Sequence, residues 1–173
     1  MVEWTAILEA VGRSQTDDRA SGRDGLDGCW QRTGPDDHAY RCVLAHYLAD
    51  LQDCLDAEVS WDETALEEYA HLRGPDLAAI DIPDAAGLAP SLHLNLGDGY
   101  LRQGRVDEAA EQLRRGRAAI GTLGEDGYGR MIRAGLAGLE SRISAMPRRA
   151  DEFRGASGSV VIDGERTSSA ERP

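Results

Sequence analysis

Residues 90–123, PSLHLNLGDGYLRQGRVDEAAEQLRRGRAAIGTL, leave the chain few ways to fold, because two apolar stripes of helical period stand on either side of one glycine. In the first half Leu92, Leu96, Gly97 and Tyr100 recur at the three-and-four spacing of one helix face. Pro90 suits a first helical turn, where a missing N–H costs no hydrogen bond. Gly104 ends this helix. In the second half Val106, Ala109, Ala110, Leu113 and Gly116 repeat the spacing, and Asp107 and Glu108 set negative charge at the positive end of the new helix dipole. Gly97, Ala109 and Gly116 have little or no side chain, so the two backbones can approach closely, with Leu96, Tyr100 and Leu113 filling the space beside the contact. The expected product is a helical hairpin.

The order LNLGDGYLRQG, then EAA, with Leu113 four positions after Ala109, resembles the tetratricopeptide repeat over about 34 residues, the unit length of that family. The resemblance implies an all-α fold in which helix-turn-helix units stack into an α-α superhelix, with a concave groove that binds a peptide or another protein. His93 stands where the family usually has a large apolar residue, and Gly121 where a proline often closes the unit. Leu44, Ala45 and Leu48, followed by Ala65, suggest a divergent repeat over 36–73. On this reading residues 1–147 form one tetratricopeptide-like domain of about seven helices, with the clear repeat at 90–123, a capping helix at 125–146 and a flexible polar tail at 148–173.

The other segments fit that frame. Trp4, Ile7, Leu8 and Val11 form one face of a first helix over 3–14. Leu26, Cys29 and Trp30 offer an inward face for a second over 18–32, although Gly22, Gly25 and Gly28 each cost about 1 kcal/mol relative to alanine in a helix. Gly34 and Pro35 close it. A third helix, HAYRCVLAHYLADLQ, has Tyr40, Val43, Leu44, Tyr47, Leu48 and Leu51 on a broad apolar face. Ser60 and Glu63, at capping-box spacing, predict the start of a fourth, which continues through Trp61, Ala65, Leu66, Tyr69 and Leu72. Gly74, Pro75 and Pro83 interrupt the array over 74–89, a connection long enough to be a lid or binding element, or, with Leu77, Ile80 and Ile82 apolar enough to pack, a packed spacer. Tyr128, Met131, Ile132, Leu136, Leu139 and Ile143 point inward from the last helix, Arg130, Arg133 and Arg142 outward, and Pro147 stops it.

Composition narrows function more than it names it. No run approaches the ~18 apolar residues that cross a bilayer, and MVEWTAILEAVG lacks the basic start of a signal peptide, so the expectation is a soluble, cytoplasmic protein. A net charge of −12 argues against nucleic-acid and anionic-membrane partners and favours a basic or charge-asymmetric protein or peptide. All 19 basic residues are arginine, the bias of a GC-rich bacterial coding sequence, which lowers the weight of any arginine cluster. Acids far outnumber Arg41 and Arg73 between Asp36 and Asp84, whereas Arg114, Arg115, Arg117, Arg130 and Arg133 reverse the balance, so a groove passing both would have opposite potentials at its ends. Cys29, Cys42 and Cys54 make neither an even set nor a CxxC pair and are expected as free thiols.

Chemistry concentrates on the third helix, where His38, Cys42, His46 and Asp50 follow one another at intervals of four and form a polar stripe. One reading has the stripe lining the groove, together with Leu94, Asn95, Asp98 and Arg102 of the clear repeat; the groove set is then Cys42, His46, Asp50, Leu94, Asn95, Asp98 and Arg102. The alternative is a metal- or thiol-dependent enzyme or sensor. Its metal would need His46 with Cys42 or Asp50 and a further ligand such as His93, since His38 and Asp50 lie about 18 Å apart along the axis at 1.5 Å per residue. A nucleophilic Cys42 would need a positive neighbour to lower its pKa. No glycine-rich phosphate loop, HExxH, GxSxG or dinucleotide fingerprint is present, and no cofactor is expected.

Overall fold

The computed structural model describes residues 2–146. Over that span the chain is all-helical, with α1 (Trp4–Ser14), α2 (Arg19–Trp30), α3 (His38–Ala49), α4 (Leu55–Tyr69), α5 (Ala89–Arg102), α6 (Val106–Ala118) and α7 (Gly127–Ala145), and with short 3-10 segments at Gly74–Ile80, Ala85–Leu88 and Ile120–Thr122. None of the described helices is long and apolar enough to cross a membrane. The tail expected at 148–173 lies outside the described residues.

Helices pair in sequence order as α1 with α2, α3 with α4 and α5 with α6, while α7 packs on both α5 and α6. Small residues set the closest approaches. A Cβ on Gly22 would lie 2.3 Å from the Ser14 backbone nitrogen, and one on Gly25 would lie 3.0 Å from Ala10 Cβ. The glycines that weaken α2 as an isolated helix therefore let it lie directly on α1. The central hairpin follows the same logic: a Cβ on Gly97 would sit 3.2 Å from Gln112 Cβ and 2.8 Å from Leu139 Cδ2. Gly104 makes the turn with φ 76°, a conformation that a side chain would oppose.

Two apolar clusters fill the interior. The first joins Ile7, Ala10, Val11, Leu26, Cys29, Cys42, Val43, Leu44 and Leu48 to Leu77, Leu88 and Leu92. Trp4 leans on Tyr40, and Trp30 meets Trp61 edge-on, around its margin. The second holds Leu96, Tyr100, Ala109, Leu113, Ile132, Leu136 and Leu139, together with Val59 from α4. Each cluster thus takes one residue, Leu92 or Val59, from the start of a helix whose body serves the other. Polar contacts bolt the same seam: Arg102 donates to Glu58, Tyr100 Oη to Glu63 and Gln103 to Asp56.

Several expectations need correction. Helix α4 begins at Leu55, not Ser60, so residues 55–59 already belong to the helix and Ser60 caps nothing. Acidic Asp56 and Glu58 in that first turn favour the earlier start by opposing the helix dipole. Leu8 is 45% exposed and Ala10 is buried instead, because α2 approaches the side of α1 that carries the small residues. Met131 and Tyr128 lie at the surface of α7, 60% and 43% exposed, since α5 and α6 cover only the strip through Ile132, Leu136 and Leu139. Segment 74–89 is packed through Leu77, Ala85 and Leu88.

Candidate functional site

The polar stripe of α3 does not act as one unit. His38 Nδ1 hydrogen-bonds Glu68 Oε2 (2.7 Å), and its ring stacks on His71 at 3.9 Å. Arg41 Nε donates to the other Glu68 oxygen (2.5 Å) with its guanidinium over Trp30. Burial raises the Glu68 carboxyl, but the bonds from His38 and Arg41 outweigh it and hold the group below its ordinary value. Cys42, expected in the groove, is fully buried in the first core because α3 is covered on two sides, by α1 and α2 and by α4. Burial, with Glu68 nearby, pushes its thiol up to about 12, the opposite of what a nucleophile needs. The His46 ring is enclosed around Nδ1, which has no partner, and burial pushes its pKa down to about 4.

His93 turns away from this stripe, its Nδ1 2.8 Å from Gln112 Oε1 on α6. Among the described residues, no three His, Cys, Asp or Glu side chains are placed to hold a metal ion. Several arginines of α6 and α7 pair close to home, Arg114 and Arg115 with Glu111, Arg117 with Glu140 and Arg133 with Glu125.

Four other residues of the expected groove set come together. Asp50 at the end of α3 and Leu94, Asn95 and Asp98 on α5 line one cavity of about 290 Å³ with Glu58 of α4 and Gly135 and Arg142 of α7. Helical geometry explains the α5 contribution, since positions 94, 95 and 98 share a face opposite the buried Leu92, Leu96 and Tyr100. Arg102, one turn further, reaches Glu58 at 2.5 Å and Asp98 at 3.7 Å across the mouth. Arg142, expected to point away, forms an ion pair with Asp98 at 2.5 Å. Gly135 gives Leu94 its place: a Cβ there would be 2.5 Å from Leu94 Cδ2.

Asp62 is the residue that sequence reasoning missed. It is 2% exposed on α4, and its Oδ1 has no hydrogen-bond partner among the described residues. Burial first, and then the charges of Asp50, Glu58 and Asp98, push its carboxyl up to about 8 against the opposing pull of Arg102. The site is therefore a small polar cavity with the carboxyl groups of Asp50, Glu58 and Asp98 and the Arg142 guanidinium at its walls. A signal was present in the sequence: Asp62 stands three residues before Ala65 and three after Val59, on the apolar stripe of its helix.

Compared with family models, with curated proteins and with solved structures, the chain finds no match in any of the three.

Proposed function

We propose that the chain is a protein-interaction module of tetratricopeptide type, a short α-α superhelix that captures a peptide or protein segment on the surface shared by α3, α5 and α7. The observation that carries this reading is the convergence of Asp50, Leu94, Asn95, Asp98 and Arg142 on one cavity from those three alternating helices. Alternation is what a stacked helix-turn-helix array would present, the first helix of each unit inward and its partner behind. The early start of α4 supports a second unit at 36–73, because it leaves a connection between α3 and α4 short enough for a hairpin. Helix α7, packed on the α5–α6 pair through Ile132, Leu136 and Leu139 with its other side left to solvent, suits a cap.

Replacing Asp98 and Arg102 together removes a mutually paired acid and base, so net charge is unchanged while the mouth loses its polar contacts. In affinity capture from the source organism's cell extract, partners held in the groove should fall about tenfold in the Asp98→Ala/Arg102→Ala protein, the effect of losing one or two charge-assisted hydrogen bonds. Equal recovery by a double variant of unchanged helicity would refute the site.

A further inference from the structure

Helix α7 has no hairpin partner. The other six helices pair with a chain neighbour, whereas α7 leans on α5 and α6, a pair already complete. Its covered strip is Ile132, Leu136 and Leu139. On the opposite side Met131, Ala134, Ala137, Gly138 and Ala145 are all exposed, with Arg130 beside them. A side that served water alone would carry more charge than one arginine in about four turns. The other charges of α7 are engaged elsewhere, Arg133 with Glu125, Glu140 with Arg117 and Arg142 with Asp98. Arg130 donates to the Glu125 backbone carbonyl (2.7 Å).

Helix α1 stands at the other end of the packing order. Opposite its buried Ile7, Ala10 and Val11, the residues Thr5, Leu8 and Gly12 are exposed together with Glu9. Arg13 of the same helix lies over Gly25 of α2. Among the described residues, the large apolar side chains left exposed are Leu8 on α1, Tyr128 and Met131 on α7, and Met146 just past it; α2 to α6, between them, expose none. Neither Glu9 nor Arg130 belongs to an ion pair among the described residues. The first and last helices thus each leave an apolar face unmatched, and each face has one free charge next to its large apolar residue, Glu9 after Leu8 and Arg130 before Met131.

Those charges select the occupant. Two α7 faces together would leave both copies of Arg130 unmatched, and two α1 faces both copies of Glu9; α7 on α1 matches each charge with its opposite. We propose that copies of this chain associate head to tail, the outward face of α7 in one resting on the outward face of α1 in the next, with Met131 against Leu8 and Arg130 beside Glu9. Gly12 and Gly138, where an added Cβ would meet nothing within 4 Å, let the two backbones approach. The contact is heterologous, so every dimer keeps one free face of each kind and growth continues with concentration. One helix on one helix buries less than the ~1,200 Å² of a stable interface, so the association is weak. It does not depend on the groove, because Gly135 and Arg142 line the cavity from another side of α7.

The test is sedimentation equilibrium of the full chain over about a hundredfold range of concentration, in ~0.15 M salt to screen the repulsion between two acidic molecules. The average mass should rise past that of a dimer without a plateau. Leu8→Glu and Met131→Glu, both at exposed positions, should each remain monomeric with wild-type far-ultraviolet ellipticity. Their equimolar mixture should form a dimer and stop there, since it contains one intact α7 face and one intact α1 face. Glu9→Arg and Arg130→Glu should each weaken association about threefold to tenfold, and the chain carrying both should recover it. A wild-type plateau at the dimer, abolished by Met131→Glu and untouched by Leu8→Glu, would mean that two α7 faces meet and would overturn the head-to-tail contact. So would a mixture no heavier than its components. A wild-type chain that stays monomeric throughout would overturn it too, and would assign the two faces to another molecule or to residues 147–173.

Discussion

Asp62 and His46 each have one buried polar atom without a partner, and their pKa values shift in opposite senses. Asp62 moves from an ordinary 3.8 to about 8, so the folded chain keeps a proton that the unfolded chain has released. Its contribution to stability is full below pH 4 and drains away as pH rises through 8. His46 moves from 6.5 to about 4, so the folded ring is neutral. Its contribution is full above pH 6.5 and is lost as pH falls through 4. Between those limits the two slopes oppose each other; from 6.5 to 8 Asp62 acts alone and stability declines. Asp62→Asn should therefore raise the thermal midpoint at pH 8 by several degrees, about 1–3 kcal/mol, and change little at pH 4. A gain of the same size at both pH values would mean that this carboxyl is not the titrating group. His46→Gln should flatten the acid limb in the same set of melts.

Whole elements answer to glycine placement. Gly22→Ala would set a methyl 2.3 Å from the Ser14 backbone nitrogen, and backbone cannot step aside as a side-chain tip can. It should cost about 2–4 kcal/mol in a denaturant titration by forcing α1 and α2 apart. Gly138→Ala, with nothing within 4 Å, should instead stabilise α7 by about 0.5–1 kcal/mol through helix propensity. A similar effect of the two substitutions would mean that propensity, not contact, governs both helices. The same contrast shows what could be read beforehand. Apolar periodicity placed each of the seven helices, because the pattern is local and repeats over several turns. It misplaced the start of α4, where Cys54 and Leu55 carry no capping signal and the acidic first turn looks like linker. It also gave the wrong inner edge to α1 and α7, since the side of an amphipathic helix that ends up covered depends on where its neighbours stop. Asp50, Leu94, Asn95 and Asp98, grouped from the sequence by helical spacing, line one cavity. Glu58 and Arg142 enter the cavity through helix pairings that no local pattern encodes, and Cys42 leaves it because α3 is covered on two sides.

At the scale of the molecule the two apolar clusters meet where Val59 packs against Gly99 and where Leu92 crosses into the first. That exchange, with the bonds from Arg102, Tyr100 and Gln103 to α4, couples the two halves mechanically. A common unfolding transition is expected for the wild type, while Val59→Ala, which empties the contact over Gly99 at a cost of about 1–3 kcal/mol, should let the halves melt apart. The chain supplies its own optics for this. Trp4, Trp30 and Trp61 are its three tryptophans, and all stand on the N-terminal side of the seam. Emission at the indole wavelength sees only that half, whereas far-ultraviolet ellipticity weighs every helix alike. Superimposed melting curves from the two signals would report an intact junction, and a gap between them in Val59→Ala would measure, without any label, how much of the cooperativity passes through one side chain.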